Sequence, residues 1–224
     1  MYRNLLLAAM LFIAGTCLSA QPSSGTINGH EFVDLGLSVK WATCNIGASQ
    51  PGEYGDYFAW GEDSKEHKVV SNPSASLKFY EFSWRTYIYY FDNTSAFEMD
   101  GLILDGNKLV PKSDVATIIW GDKWRMPTNS EFGELVNDCN WAWTKRNGHC
   151  GYEITSKING NKIFLPAAGA VDGTMHEKYE TLGFYWTSEL DYHDVAKALK
   201  FDNANRGWTS LFRYRGLPVR VVTK

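Results

Sequence analysis

Few residues of this 224-residue chain have the types and spacing that chemistry demands, and the densest group is Asp191, His193 and Asp194. An imidazole between two carboxylates is a donor set for zinc or calcium. The group falls in a loop between strand-like words, where nothing fixes ligand geometry and no further ligand is evident, so a plain surface loop is the preferred reading. Glu62, Asp63 and Glu66 form a second acidic group after Trp60-Gly61. Consecutive acids of this kind read as a solvated loop. His30, His67, His149 and His176 lie far apart among turn residues, and nothing sets a base beside Thr187 or Ser188. Triads and acid pairs are assembled in three dimensions, so these absences lower the expectation of an enzyme without excluding one. The expectation is no catalytic residue, no metal and no cofactor.

The N-terminus carries Arg3, an apolar run from Leu5 to Ile13, and small residues up to Ser19-Ala20. That is the layout of a secretory signal peptide over residues 1–20. The run is shorter than the roughly 20 residues a membrane-spanning helix needs, so no membrane insertion is expected once the signal is removed. Cys17 after Ala14-Gly15-Thr16 raises a lipid-anchored alternative, disfavoured by the size of Thr16. The expected location is secreted, periplasmic or outer cell surface. Export permits disulfides, and Cys44, Cys139 and Cys150 would remain. Three thiols allow at most one bridge, Cys139–Cys150 or Cys44–Cys139, and three small buried apolar cysteines is an equal reading. The net charge of −3, with basic residues scattered, argues against a nucleic-acid partner or an anionic membrane surface.

The elements that must position any site are mostly short. Gln21 to Asn28 is polar and Gly/Ser-rich and reads as a flexible tether over 21–28. Glu31 to Asp34, Val39 to Ala42 and Asp56 to Trp60 read as strands, the first two joined by the turn Leu35-Gly36-Leu37. The aromatic-dense stretch from Phe79 to Phe97 is either a sugar-stacking surface or, as preferred here, core for an insertion. Thr128 followed three residues later by Glu131 is a capping box. With Phe132, Leu135 and Val136 on one face, it predicts a helix over Asn129 to Asp138. A shorter helix from Ser113 to Ile119, capped by Ser113, is also expected. Tyr152 to Lys157 and Lys162 to Leu165 flank Asn159-Gly160, a hairpin signal. Phe184 to Ser188, Ala196 to Phe201, Ser210 to Tyr214 and Val219 to Val222 complete the strands. Helices followed by a run of antiparallel strands predicts an α+β class. Gly169 and Gly183 are expected where backbones approach closely. Arg125 is expected on backbone carbonyls or Asp122, and Arg220 on a paired acid.

Several words in this order resemble the Fibrobacter succinogenes major paralogous domain family of secreted bacterial domains. They are Phe32-Val33-Asp34-Leu35-Gly36-Leu37 through Lys40-Trp41-Ala42-Thr43-Cys44-Asn45, Tyr54 to Glu62, and Asp114 to Thr128 with its closing Trp124-Arg125-Met126-Pro127-Thr128. Ile163-Phe164-Leu165-Pro166-Ala167-Ala168-Gly169, Tyr185-Trp186-Thr187-Ser188 and Arg215-Gly216-Leu217-Pro218-Val219-Arg220-Val221-Val222 continue the series. The resemblance implies a C-type-lectin-like fold, with short helices, a twisted mostly antiparallel sheet in which the chain ends meet, and long loops. It also implies one domain over 29–224, with about 64–104 as an aromatic-rich insertion. The calcium signatures of sugar-binding lectins are absent, Phe201-Asp202-Asn203 being the nearest approach. The cysteine pair of the related formylglycine-generating enzymes has no counterpart.

In such folds the loops between the late strands face the ligand. Here Glu189 to Tyr214 would display Tyr192, His193, Asp202, Asn203, Asn205, Arg206, Trp208 and Arg213. Rings stack on a polar ligand while amides and guanidinium groups supply directed hydrogen bonds. The expected function is a non-catalytic binding module, secreted or surface-displayed, with a glycan or a cell-surface protein as partner. A structural or adhesive envelope protein is the second reading and a carbohydrate-active enzyme the third.

Overall fold

A computed structural model describes residues 24–62, 82, 83, 87 and 104–224. The expected signal peptide and nearly all of the expected insertion, with Asp63, Glu66 and His67, lie outside the described residues. The described residues begin with β1 (Ser24–Ile27) and β2 (His30–Val33), and go on to β3 (Lys40–Asn45), β4 (Leu104–Asp105) and β5 (Lys108–Leu109). Two helices follow, α1 (Val115–Trp120) and α2 (Asn129–Asp138). The strands then resume as β6 (Cys139–Arg146), β7 (His149–Ser156), β8 (Lys162–Pro166), β9 (Ala170–Asp172) and β10 (Met175–Glu177). β11 (Gly183–Tyr192), β12 (Val195–Phe201), β13 (Arg206–Phe212) and β14 (Arg220–Thr223) end the chain.

These strands form four antiparallel sheets, ordered β1-β2-β3-β14, β10-β9, β13-β12-β11-β5-β4 and β6-β7-β8. The architecture is therefore β-rich with little helix, which corrects the α+β, lectin-like class expected from the sequence. The two helices have 6 and 10 residues. They fill spaces between sheets and form no layer of their own, so they cannot define an α+β core. The first and last strands do share a sheet, with β14 against β3. Part of the expected tether is also a strand. Asn28 and Gly29 both take positive φ, at 50° and 82°, and turn β1 into β2.

The five-stranded sheet separates two cores because alternate residues face opposite ways. Ala196, Ala198 and Trp186 join one apolar cluster with Phe58, Trp60 and Trp124. Tyr185, Leu199 and Phe201 join the other, with Phe132 and Leu135 of α2 and Tyr152 of β7. The Asp56 to Trp60 word is not a strand; it contributes an isolated bridge from Phe58 to Leu217. Its indole and that of Trp186 cross-link the same region, Trp60 Nε1 donating to Thr187 O and Trp186 Nε1 to Phe58 O, both at 2.8 Å.

The entry to α2 is set by its capping box, in which the Thr128 side chain accepts from Glu131 N at 3.2 Å and Thr128 N donates to Glu131 Oε2 at 2.8 Å. Arg125 pairs with the same Glu131 and donates to Met126 O at 3.1 Å; Asp122 is not its partner. Asp114, and not Ser113, caps α1. It accepts from Ala116 N and Thr117 N, and from Met126 N at 2.9 Å.

Arg220 departs from its expected acid. It is fully buried, and Nη1 and Nη2 donate to Ala42 O and Phe164 O at 3.2 and 3.0 Å. Gly169 and Gly183 meet each other in a parallel bridge. A side chain on Gly183 would come within 2.1 Å of the Phe201 ring, so the close approach there requires glycine.

Candidate functional site

β13 is an edge of the five-stranded sheet, and its alternation sets Arg206, Trp208, Ser210 and Phe212 outward. The turn before it, Asp202–Asn205, is built around one carboxylate. Asp202 Oδ1 accepts from Ala204 N at 2.8 Å and Asn205 N at 2.7 Å, and these N–H groups hold the acid below its usual range. Trp208 is 46 % exposed and lies over α2 at Gly133, where a Cβ would come 3.9 Å from the indole. Arg206 spreads over the Trp141 ring with 5.4 Å from guanidinium carbon to centroid. Beneath them Trp141, Trp143, Tyr152 and Phe201 pack edge to face, Trp141 to Tyr152 at 5.1 Å and Tyr152 to Phe201 at 5.5 Å.

Together these residues bound an open cavity of ≈ 330 Å³, lined by Lys200, Phe201, Asp202, Asn205, Arg206 and Trp208. Its lining offers the Trp208 ring, an amide, a carboxylate and two cations. That combination suits a polar ligand with an apolar face.

The expected site residues do not form one surface. Asp202, Asn203, Asn205, Arg206 and Trp208 gather at one end of β13. Tyr192 and His193 lie at the other end, where Tyr192 is opposite Val195 and Val195 opposite Phe212. Phe212 lies four positions along the strand from Trp208, roughly 13 Å away. Arg213 belongs to neither end. It is wholly buried, with its guanidinium over the Tyr87 ring at 5.3 Å, because the alternation that turns Phe212 outward turns its neighbour inward. It is removed from the ligand-facing set.

A second polar cluster escaped the sequence reading. Glu180 accepts from the Tyr54 hydroxyl, from Cys150 N at 2.6 Å, and is 2.8 Å from His149 Nδ1. Tyr54 and Glu180 are 126 residues apart, so no local signal marks the group. Burial raises the Glu180 carboxyl, but the Tyr54, Cys150 and His149 donors outweigh it and hold it down to about 2. Beside it the Tyr57 hydroxyl donates to Ala168 O at 2.5 Å and lies 2.7 Å from His176 Nε2. Burial lowers His176 from its ordinary value. Every oxygen of Glu180 is engaged, so this cluster clasps the loop before β11 to β7 and to the Tyr54 segment.

The thiols of Cys139 and Cys150 are not activated. Burial and the bond to Glu180 push Cys150 up, and burial pushes Cys139 up to about 11. Cys44, Cys139 and Cys150 are all free. Among the described residues no three His, Cys, Asp or Glu side chains are grouped to hold a metal ion. None of the described helices is long and apolar enough to cross a membrane. A second open cleft, also ≈ 330 Å³, lies between β2, β3 and α1, where His30 stacks on Trp120 at 3.7 Å.

No protein-family model, no curated protein and no solved structure matches this chain.

Proposed function

We propose that this protein is a non-catalytic binding module, secreted or displayed on the cell surface, that takes a glycan at the Trp208 end of β13. One observation carries the reading: an exposed indole beside a guanidinium stacked on Trp141, with Asp202 and Asn205 at the rim of the same cavity. A pyranose presents an apolar face that an indole covers, and an equatorial edge of hydroxyls that amide, carboxylate and guanidinium groups recognise. The resemblance to the secreted paralogous-domain family supports export and display. A glycan array with the chain lacking residues 1–20, run with and without chelator, tests ligand class and metal dependence together. Binding lost in Trp208→Ala and unchanged by chelator supports the reading; an array blank for every sugar overturns it.

A structural or adhesive role through a protein partner is the second reading. Tyr192 at 66 % exposure and Phe212 at 44 % favour it, since both rings present at the opposite end of the sheet. Pull-down by the purified chain that soluble sugar fails to compete, and that Tyr192→Ala abolishes, would favour that reading over the glycan.

A further inference from the structure

Three features of the Trp208 cavity bear on the charge of its ligand. The first is the sign of the lining. Lys200 and Arg206 contribute two cations and Asp202 one carboxylate. That carboxylate holds its own turn through Oδ1, which accepts two backbone N–H groups, and the two cations outnumber it. The cavity therefore presents a positive excess.

The second feature is the state of Arg206. Arg125 is paired with Glu131, Arg215 with Asp172 and Glu177, and Arg220 donates to Asn45 and two carbonyls. Arg206 has an aromatic ring against its face and, among the described residues, no acidic partner. The contact with Trp141 holds the guanidinium at the cavity it lines, with N–H donors that no carboxylate of the described residues takes. A planar fork held this way matches a carboxylate bidentately.

The third is position. Arg206 precedes Trp208 by two residues on β13, so the fork and the exposed indole stand on one face of the strand at the same cavity. A sugar covered by the Trp208 ring would bring a substituent of its own ring to the fork. The cavity, at ≈ 330 Å³, is at the small end of ligand sites, the scale of one sugar unit.

We propose that the ligand is an acidic glycan bearing a uronic-acid carboxylate, which Arg206 takes bidentately while Trp208 covers the ring and Lys200 adds a longer-range cation. This rests on the glycan reading above and deepens it. The test is calorimetric titration of the chain lacking residues 1–20 with three probes: trigalacturonic acid, the same trisaccharide with its carboxylates reduced to alcohols, and a sulfated neutral trisaccharide. The acid should bind about tenfold or more tighter than its reduced form, and this preference should shrink as salt rises. Arg206→Gln should bring the two to within about threefold of each other, with Arg206→Lys between wild type and Gln, while Trp208→Ala weakens both. Both side chains are exposed, so circular dichroism should show all variants folded.

Equal binding of acid and reduced sugar, unchanged in Arg206→Gln, overturns the acidic assignment and leaves the glycan reading standing. Tighter binding of the sulfated probe than of the uronate overturns the carboxylate assignment in favour of sulfate. Failure of all three probes, together with a blank glycan array, takes down both.

Discussion

Arg220 and Asn45 stand opposite each other across β14 and β3, and Nε donates to Oδ1 at 2.9 Å in a fully buried setting. Asn45 continues the network through Nδ2 to Tyr54 O at 2.7 Å and to the Tyr185 hydroxyl at 3.3 Å. A guanidinium here joins β3, β8 and β14 by neutral oxygens alone, and burial lowers it from its ordinary value. Arg220→Ala leaves a cavity and three acceptors short of a donor, so a loss of about 3–5 kcal/mol is expected in urea unfolding. Arg220→Lys keeps a charge but not the three-way fork, and should recover less than half of that loss.

The Glu180 clasp makes stability depend on pH with a definite sign. Its carboxyl falls from an ordinary 4.5 to about 2 in the fold, so its contribution is whole above 4.5 and is lost as pH drops toward 2. His176 is also lowered, so its contribution is whole above 6.5 and shrinks as pH falls below that. Asp114 runs the other way. Burial, partly opposed by its N–H donors, pushes it up to about 6, and its contribution is lost as pH rises from 3.8 through 6. Urea midpoints measured from pH 2 to 8 should therefore fall on the acid side, and Glu180→Gln should flatten that limb below 4.5. A limb of unchanged steepness in Glu180→Gln would contradict the clasp.

Gly183 has a steric role that a single methyl tests. With Cβ only 2.1 Å from the Phe201 ring, Gly183→Ala must push that ring into the aromatic floor beneath the cavity. A destabilisation of about 1–3 kcal/mol by thermal or urea unfolding is expected. The double variant Gly183→Ala with Phe201→Leu should lose less than the sum of the singles, since the two positions share one space.

Trp208→Ala separates binding from folding. The ring is nearly half exposed and lies over α2 at Gly133, so unfolding midpoints should move by less than about 1 kcal/mol. Arg213→Ala should do the reverse, costing several kcal/mol through a buried guanidinium stacked on Tyr87 while leaving the Trp208 cavity intact.

Local chemistry alone specified α2, where Thr128 and Glu131 satisfy backbone donors within one turn of chain, and the alternation of β8, β12 and β14 within a residue or two of their ends. The residues around Asp202, Arg206 and Trp208 were legible for the same reason, since a turn and its following strand carry them together. What the chain could not declare locally was long-range. Whether two short helices make a layer or fill gaps between sheets depends on strand pairing. So does which end of β13 a residue such as Tyr192 reaches. The inward turn of Arg213, the neutral partners of Arg220, and the union of Tyr54, His149 and Glu180 arise from contacts spanning up to 178 residues. Such contacts exist only after loops have closed and apolar faces have been buried, so only the tertiary structure decided them.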